Sequence, residues 1–178
     1  MLEMELKFQV EDLEAIADRL RGLGADPGDE ADEKNLVLDL PGGPLRKTDT
    51  LLRLRNVAGG VLLTIKKPIP ATCLKVRREK EVLLSCTQEE AVEIFTLLGY
   101  GVVFTYEKKR RECRLGEASV CLDRLWFGSF VEVEAGSEDA VMEAIDKLGL
   151  NPEEGIRFSY AALQRDAEKT RSRGEGQV

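Results

Sequence analysis

The chain has 178 residues, 43% of them hydrophobic and 33% charged, with a formal net charge of −7 and no histidine. That length fits one domain with a substantial core. The acidic balance excludes a generic nucleic-acid binder, which needs a positive surface, and the lack of histidine excludes Ser-His-Asp and Cys-His catalysis.

Met1 to Val10 alternates as a strand and carries two glutamates and no apolar stretch before Lys7, which is not the pattern of a secretory signal. No run further on reaches the ~20 apolar residues of a membrane-spanning helix, so no membrane segment is expected and a cytoplasmic protein is the default. Glu11 to Leu23 follows as a helix with Leu13, Ile16, Ala17 and Leu20 on one face, stopped at Gly22-Leu-Gly24. Strands are then predicted over Leu36–Leu40, Thr50–Val57, Gly60–Lys67 and Leu74–Leu84, with Pro41-Gly42-Gly43 and Ala58-Gly59-Gly60 read as hairpin turns. Thr87 to Leu98 opens with Thr87 and Glu90 at capping-box spacing and repeats Ala91, Ile94, Phe95 and Leu98 on one face. Three more strands are predicted over Val102–Leu115, Ser119–Leu125 and Phe130–Ala135, the first two joined by a turn at Leu115-Gly116-Glu117. A third helix covers Ser137–Leu148, a fourth Arg157–Ala167, and Lys169–Val178 reads as a loose polar tail after a single domain over 1–168. Cys73, Cys86, Cys113 and Cys121 lack CxxC spacing and are expected as scattered small hydrophobes, not as disulfides or zinc ligands.

About eight strands joined mostly by short turns, with helices between, predict an α+β fold: an antiparallel sheet or barrel covered outside by helices. Sorting each strand by parity puts charges on one face. Glu3, Glu5 and Lys7 form one row, and Arg53 and Arg55 another. Lys66 shares a face with Thr64, and Lys75, Arg77, Glu79 and Glu81 form a third row. Lys108, Arg110, Glu112 and Arg114 line up, Asp123 alternates with Leu122, and Glu132 and Glu134 alternate with Val131 and Val133. One such strand is ordinarily a solvated sheet face. Many together, rich in Glu and Arg/Lys and poor in Thr, fit an enclosed lumen whose charges neutralise each other and a bound polyanion. Basic side chains would grip phosphate oxygens, and carboxylates would hold Mg²⁺ or Mn²⁺.

The order of these rows resembles the CYTH family, the triphosphate tunnel metalloenzymes, which include class IV adenylyl cyclases, thiamine triphosphatases and inorganic tripolyphosphatases. The resemblance starts at the ExExK signature, Glu3-Met-Glu5-Leu-Lys7. It continues through Leu52-Arg53-Leu-Arg55, Leu63-Thr-Ile-Lys66 and Arg77-Arg-Glu79-Lys-Glu81. Glu107-Lys108-Lys-Arg110, Leu122-Asp123, Gly128-Ser-Phe-Val-Glu132-Val-Glu134 and Arg157-Phe-Ser-Tyr160 complete it. It implies an eight-stranded antiparallel tunnel open at both ends. Glu132 and Glu134, with Glu3 or Glu5, would hold a catalytic divalent ion, while Glu79, Glu81 and Asp123 would hold a second ion or position water. Lys7, Arg53, Arg55, Lys66, Arg77, Lys108, Arg110 and Arg157 would bind a triphosphate. Two departures stand out: Arg78 where the family is often acidic, and Lys66-Lys67-Pro68 in place of a frequent Lys-Gly-Pro turn.

The expected reaction is metal-dependent hydrolysis of tripolyphosphate or a small organic triphosphate such as thiamine triphosphate. Cyclisation of ATP to cyclic AMP and pyrophosphate uses nearly the same machinery and stands as the alternative, and a non-catalytic polyphosphate- or nucleotide-binding module as a third. Against the cyclase, the chain is only 6% aromatic and shows no base-reading cluster; Trp126, beside Asp123, reads as a core or rim residue before a stacking platform. No nucleic-acid or membrane partner is expected, and a homodimer is compatible with the sequence without being fixed by it.

Overall fold

The computed structural model describes residues 1–70 and 74–175, so Cys73 and the last three tail residues lie outside the described residues. Eight strands form a closed antiparallel barrel. They are β1 (Leu2–Val10), β2 (Ala31–Asp39), β3 (Leu51–Val57), β4 (Gly60–Ile69), β5 (Lys75–Leu84), β6 (Gly101–Leu115), β7 (Ala118–Leu125) and β8 (Gly128–Ala135). The order around the barrel is β1-β5-β4-β3-β2-β6-β7-β8, so β1 closes it between β5 and β8. Outside lie α1 (Leu13–Gly22), α2 (Pro44–Lys47), α3 (Gln88–Leu97), α4 (Glu138–Lys147) and α5 (Tyr160–Glu175).

The barrel is inverted relative to a greasy-centred one, because its apolar faces point outward. Leu6, Phe8, Val120, Leu122, Val131 and Val133 pack beneath Ala17 and Leu20 of α1 and Val141, Ala144 and Ile145 of α4. Leu38, Leu52, Leu54 and Val61 pack beneath Ala91 of α3. These residues are apolar at period two on the strands and at helical spacing on the covering helices, so one alternation serves both layers. The helices start where their caps predict: Asp12 accepts from the Glu14 and Ala15 amides at the start of α1, and Thr87 and Glu90 form the complete capping box of α3.

Four expectations need correction. First, β2 begins at Ala31, not Leu36. Asp32 to Asn35 has no apolar alternation to read, yet pairing of Ala31–Asn35 with Arg110–Tyr106 of β6 holds it extended. Second, Pro41-Gly42-Gly43 is not a tight hairpin turn. It leads into α2, whose amides at Leu45 and Arg46 are capped by the Asp39 carboxylate. Third, on α3, Ile94 and Leu98 are 54% and 64% exposed, and Ala91 is the residue fully covered. Fourth, the last helix starts at Tyr160 and continues to Glu175, through much of the segment expected as a loose tail.

One closure was not legible at all. Among the described residues the pairing of β1 with β5 runs from Leu2 to Glu5, and Lys7 exchanges backbone hydrogen bonds with Ile156 (3.3 and 2.6 Å). This bridge seats the segment entering α5 on the barrel. Gly155 allows it, since a Cβ there would lie 2.5–2.6 Å from the buried Leu6 side chain. Gly155→Ala is therefore expected to destabilise the fold by about 1–3 kcal/mol, as overpacking does. Urea unfolding would read this, and an unchanged midpoint would show that Leu6 yields freely.

Candidate active site

The inner faces of the strands enclose a cavity of about 300 Å³ whose wall includes Lys7, Arg53, Arg55, Lys66, Arg77 and Arg110, with Glu5, Glu79, Glu81, Glu132 and Glu134. Glu3 is buried beside them. The parity rows thus converge inward, as the lumen reading expected, except at Arg114, which is exposed and bonds the Glu117 carbonyl. The barrel register sets most of these charges opposite a partner: Lys7 faces Glu132, Lys66 faces Glu79, and Arg110 faces Asp123. Opposite-charge cross-strand pairs stabilise a sheet, and like charges directly opposite do the reverse.

Glu5 breaks that rule by standing opposite Glu134. Carboxylate oxygens of Glu3, Glu5 and Glu134 all lie within 4.8 Å of one another. Burial, with a hydrogen bond to the Glu79 carboxylate, pushes Glu3 up to about 9. Burial and the nearby Glu132 push Glu134 up to about 7. Burial opposes ionisation of Glu5 too, but Lys7, Lys75 and Arg77 outweigh it and hold Glu5 far below the usual range. A hard divalent cation suits such an all-oxygen carboxylate cluster, since its positive charge would offset the burial and crowding that disfavour ionisation of Glu3 and Glu134.

The cations are anchored from behind. Asp123 is fully buried and accepts from Lys108 Nζ (3.0 Å), Arg110 Nε and Nη2 (both 2.6 Å) and Tyr160 Oη (2.7 Å). Burial would raise its pKa, but Lys108 and Arg110 pull it below the ordinary value. Glu132 bonds Lys7 (2.5 Å) and Arg110 (3.1 Å), and those neighbours overcome burial to hold it well below the carboxylate range. Lys66 bonds both oxygens of Glu3 (2.6 and 2.8 Å). Arg53 bonds Thr64, whose hydroxyl donates to Glu81. Arg53, Arg55 and Arg77 each keep a buried Nε–H that finds no acceptor among the described residues. Buried donors are almost always satisfied, so three such guanidinium groups around one cavity point to an anion that belongs there.

The structure separates the predicted residues into groups. Glu3, Glu5 and Glu134 form the carboxylate cluster, whereas Glu132 serves as a counter-ion to Lys7 and Arg110. Asp123 does not line the cavity but sits behind its wall. Arg157 is exposed and outside the lining, although Tyr160 of the same motif reaches inside. Residues outside the predicted set also enter. Glu33 bonds Arg55 at 2.7 Å and lies 3.5 Å from Lys108, and Lys75 bonds Glu5 at 2.5 Å. Parity places Lys75 at the head of the row of Arg77 without giving it a role, whereas Glu33 lies in a stretch with no strand signal.

One end of the lumen differs from the open tunnel that the resemblance implies. Val37, Tyr106, Leu125 and Phe130 share the inward parity of the charged rows, and with Tyr160 they pack as a buried apolar cluster. The Tyr160 ring also lies under Lys7 Nζ, 4.2 Å from the ring centroid. Burial, then Glu132 and Asp123, push the Tyr160 phenol well above its ordinary value, so it stays a donor to Asp123.

Known proteins are similar to this chain in sequence or in fold. A protein of Methanocaldococcus jannaschii, provisionally named an adenylate cyclase, is 26% identical over 174 residues, covering 92% of this chain and 99% of its own. A Vibrio parahaemolyticus structure, also of a provisionally named adenylate cyclase, superposes with a TM-score of 0.81 at 21% identity, over 93% of this chain and 98% of its own. A Hippeastrum protein, provisionally an adenylyl cyclase and with a dominant triphosphatase activity, superposes with a TM-score of 0.65 at 18% identity, over 92% of this chain and 95% of its own. Residues 1–160, which include every strand of the barrel and the Tyr160 that closes it, match the CYTH domain, and the chain belongs to that family.

Proposed function

We propose that the chain is a divalent-metal-dependent triphosphatase that hydrolyses inorganic tripolyphosphate or a small organic triphosphate inside the barrel. The observation that carries this reading is the set of buried, under-satisfied guanidinium groups facing a carboxylate cluster across one 300 Å³ cavity. Arg53, Arg55, Arg77, Lys66 and Lys108 would neutralise and orient the phosphate chain, with charge-assisted hydrogen bonds in a water-poor space. Glu3, Glu5 and Glu134 would hold Mg²⁺ or Mn²⁺. Such an ion, when bound, polarises phosphoryl oxygens and lowers the pKa of water. Water adds to the terminal phosphorus, the anhydride P–O bond breaks, and orthophosphate and diphosphate leave. Lys7, charged because Glu132 and Glu5 outweigh its burial, would stabilise the charge that develops on the leaving oxygen. Glu132 and Asp123 act as positioning residues for Lys7, Lys108 and Arg110.

The Methanocaldococcus relative's name favours a second reading, cyclisation of ATP by attack of the ribose 3′-hydroxyl on the α-phosphate. Against it, the aromatic residues of the lumen pack on one another: Phe130 and Tyr160 meet edge-to-face at 5.4 Å, and Tyr106 lies 6.4 Å from Tyr160. The rings are thus engaged with one another, although a cavity of about 750 Å³ lined by Tyr106, Leu125 and Trp126 adjoins them. A purely binding module is disfavoured because anion capture gains nothing from three clustered carboxylates.

Phosphate release from tripolyphosphate and cyclic AMP formation from ATP, each measured with Mg²⁺ or Mn²⁺ and again with chelator, test the proposal. Phosphate release is expected to be the faster reaction and to vanish with chelator. Faster cyclic AMP formation would establish the cyclase instead, and chelator-resistant turnover would remove the metal from the scheme.

A further inference from the structure

Arg77 belongs to two cavities at once. It lines the lumen together with Leu51 and Ser159, and the same residues line a second cavity of about 190 Å³ outside the apolar cluster, between the connection from β2 to β3 and the start of α5. That cavity in turn shares Asp39, Arg46, Val103 and Arg165 with a third, surface-open one of about 670 Å³. The three therefore adjoin in series, from the lumen to the outside, around the filled end.

The charges along this series are unbalanced. Arg77 is 3% exposed, its Nε–H has no acceptor among the described residues, and its ion pair with Asp49 is long at 3.6 Å. Asp49 holds its carboxylate there from a left-handed backbone (φ 49°), the one non-glycine in that region among the described residues. Asp39 lines both outer cavities, holds its oxygens on the amides of Leu40, Leu45 and Arg46, and offsets part of the Arg46 charge, so Asp39 and Asp49 together set two carboxylates against three guanidinium groups. Arg46 and Arg165 then remain as the cations of the outer wall, with Arg165 stacked over Phe104 at 5.1 Å. A buried guanidinium followed by two outer ones favours a small multivalent anion over a neutral or cationic ligand.

We propose that this series is a side exit from the lumen and holds a binding site for inorganic phosphate, which Arg77 passes outward to Arg46 and Arg165. The assignment of phosphate as the departing group rests on the triphosphatase reading. The site itself rests on the cavities and their charges. Because it lies outside the lumen, orthophosphate there is compatible with tripolyphosphate bound within.

Two measurements test it. In chelator, where no turnover is expected, orthophosphate binding is titrated by calorimetry in the full-length protein, alone and with tripolyphosphate present. The R46Q/R165Q double variant and R46Q alone are titrated alongside. Binding is expected to persist with tripolyphosphate present and to weaken about tenfold in the double variant, with a smaller loss in R46Q, whose side chain packs against nothing in the core. Equal phosphate affinity in all three proteins, or its complete displacement by tripolyphosphate, overturns the proposal. In the second measurement, orthophosphate is added to the metal-loaded enzyme hydrolysing tripolyphosphate. Non-competitive inhibition, relieved in the double variant, is expected, and purely competitive inhibition that the variant leaves unchanged overturns the exit. If no tripolyphosphate is hydrolysed, the triphosphatase reading fails by itself, and the titration still decides whether the site exists.

Discussion

Glu134→Gln is expected to lower metal-dependent turnover at least about 100-fold, near 3 kcal/mol of transition-state stabilisation, while the protein stays folded. Glutamine keeps the volume but offers a divalent ion one neutral oxygen in place of a carboxylate. It also removes the like charge that stands opposite Glu5 in the barrel register. The stability effect has the opposite sign and depends on pH. Glu134 ionises near its ordinary value of 4.5 in the unfolded chain and near 7 in the folded one, because burial and Glu132 disfavour its charge. A carboxyl whose folded pKa is raised costs stability as pH rises from the lower value through the higher. In chelator, the variant should therefore match the wild type below about pH 4.5 and exceed it increasingly up to about pH 7. Thermal unfolding with and without Mn²⁺ reads both consequences, since the wild type should gain a metal-induced rise in midpoint that the variant lacks. Wild-type turnover together with an intact metal-induced rise would take Glu134 out of the metal site.

Asp123→Asn should damage the protein through its cations. The carboxylate is fully buried and takes four hydrogen bonds, from Lys108, twice from Arg110, and from Tyr160. An amide of the same size removes the charge and turns an NH₂ group toward donors. Removing one partner of a buried ion pair costs about 3–5 kcal/mol, because the partner left behind is uncompensated. A loss of that size in denaturant unfolding is expected, together with a fall in turnover of more than tenfold as Arg110 and Tyr160 lose their alignment. Tripolyphosphate in chelator should raise the variant's unfolding midpoint more than the wild type's, since the polyanion then compensates charges that Asp123 no longer meets. Asp123→Glu should restore stability only in part, because the added methylene shifts the carboxylate relative to the four donors it meets. An unfolding midpoint equal to that of the wild type would show that Asp123 is not the anchor of this wall.

The two variants separate roles that sequence alone merged. Both residues were expected as metal or water ligands because both sit inward on strands in family order. The structure places Glu134 in the carboxylate cluster and Asp123 behind the wall, saturated by donors. Strand parity tells which face a side chain takes. It does not tell how far along the lumen it sits or which partner from a non-neighbouring strand it meets. Lys66 illustrates this, since it bonds Glu3 across 63 residues of sequence.

What the sequence determined by itself was the alternation: apolar and charged residues at period two, with capped helices apolar at helical spacing, demand two layers with the charges on one side. That covers most of the strands, the starts of α1 and α3, and the rows from Glu3 to Glu134. Only the tertiary structure decided the rest. Closure of β1 onto β5 and β8 made the charged face an interior, and the pairing of β2 with β6 brought Glu33 to Arg55 and Lys108. The bridge from Lys7 to Ile156 delivered Tyr160 to the lumen and filled one end with aromatic rings. Each of these depends on contacts between segments far apart in the chain, where cross-strand register and packing volume set the outcome and no local pattern records it.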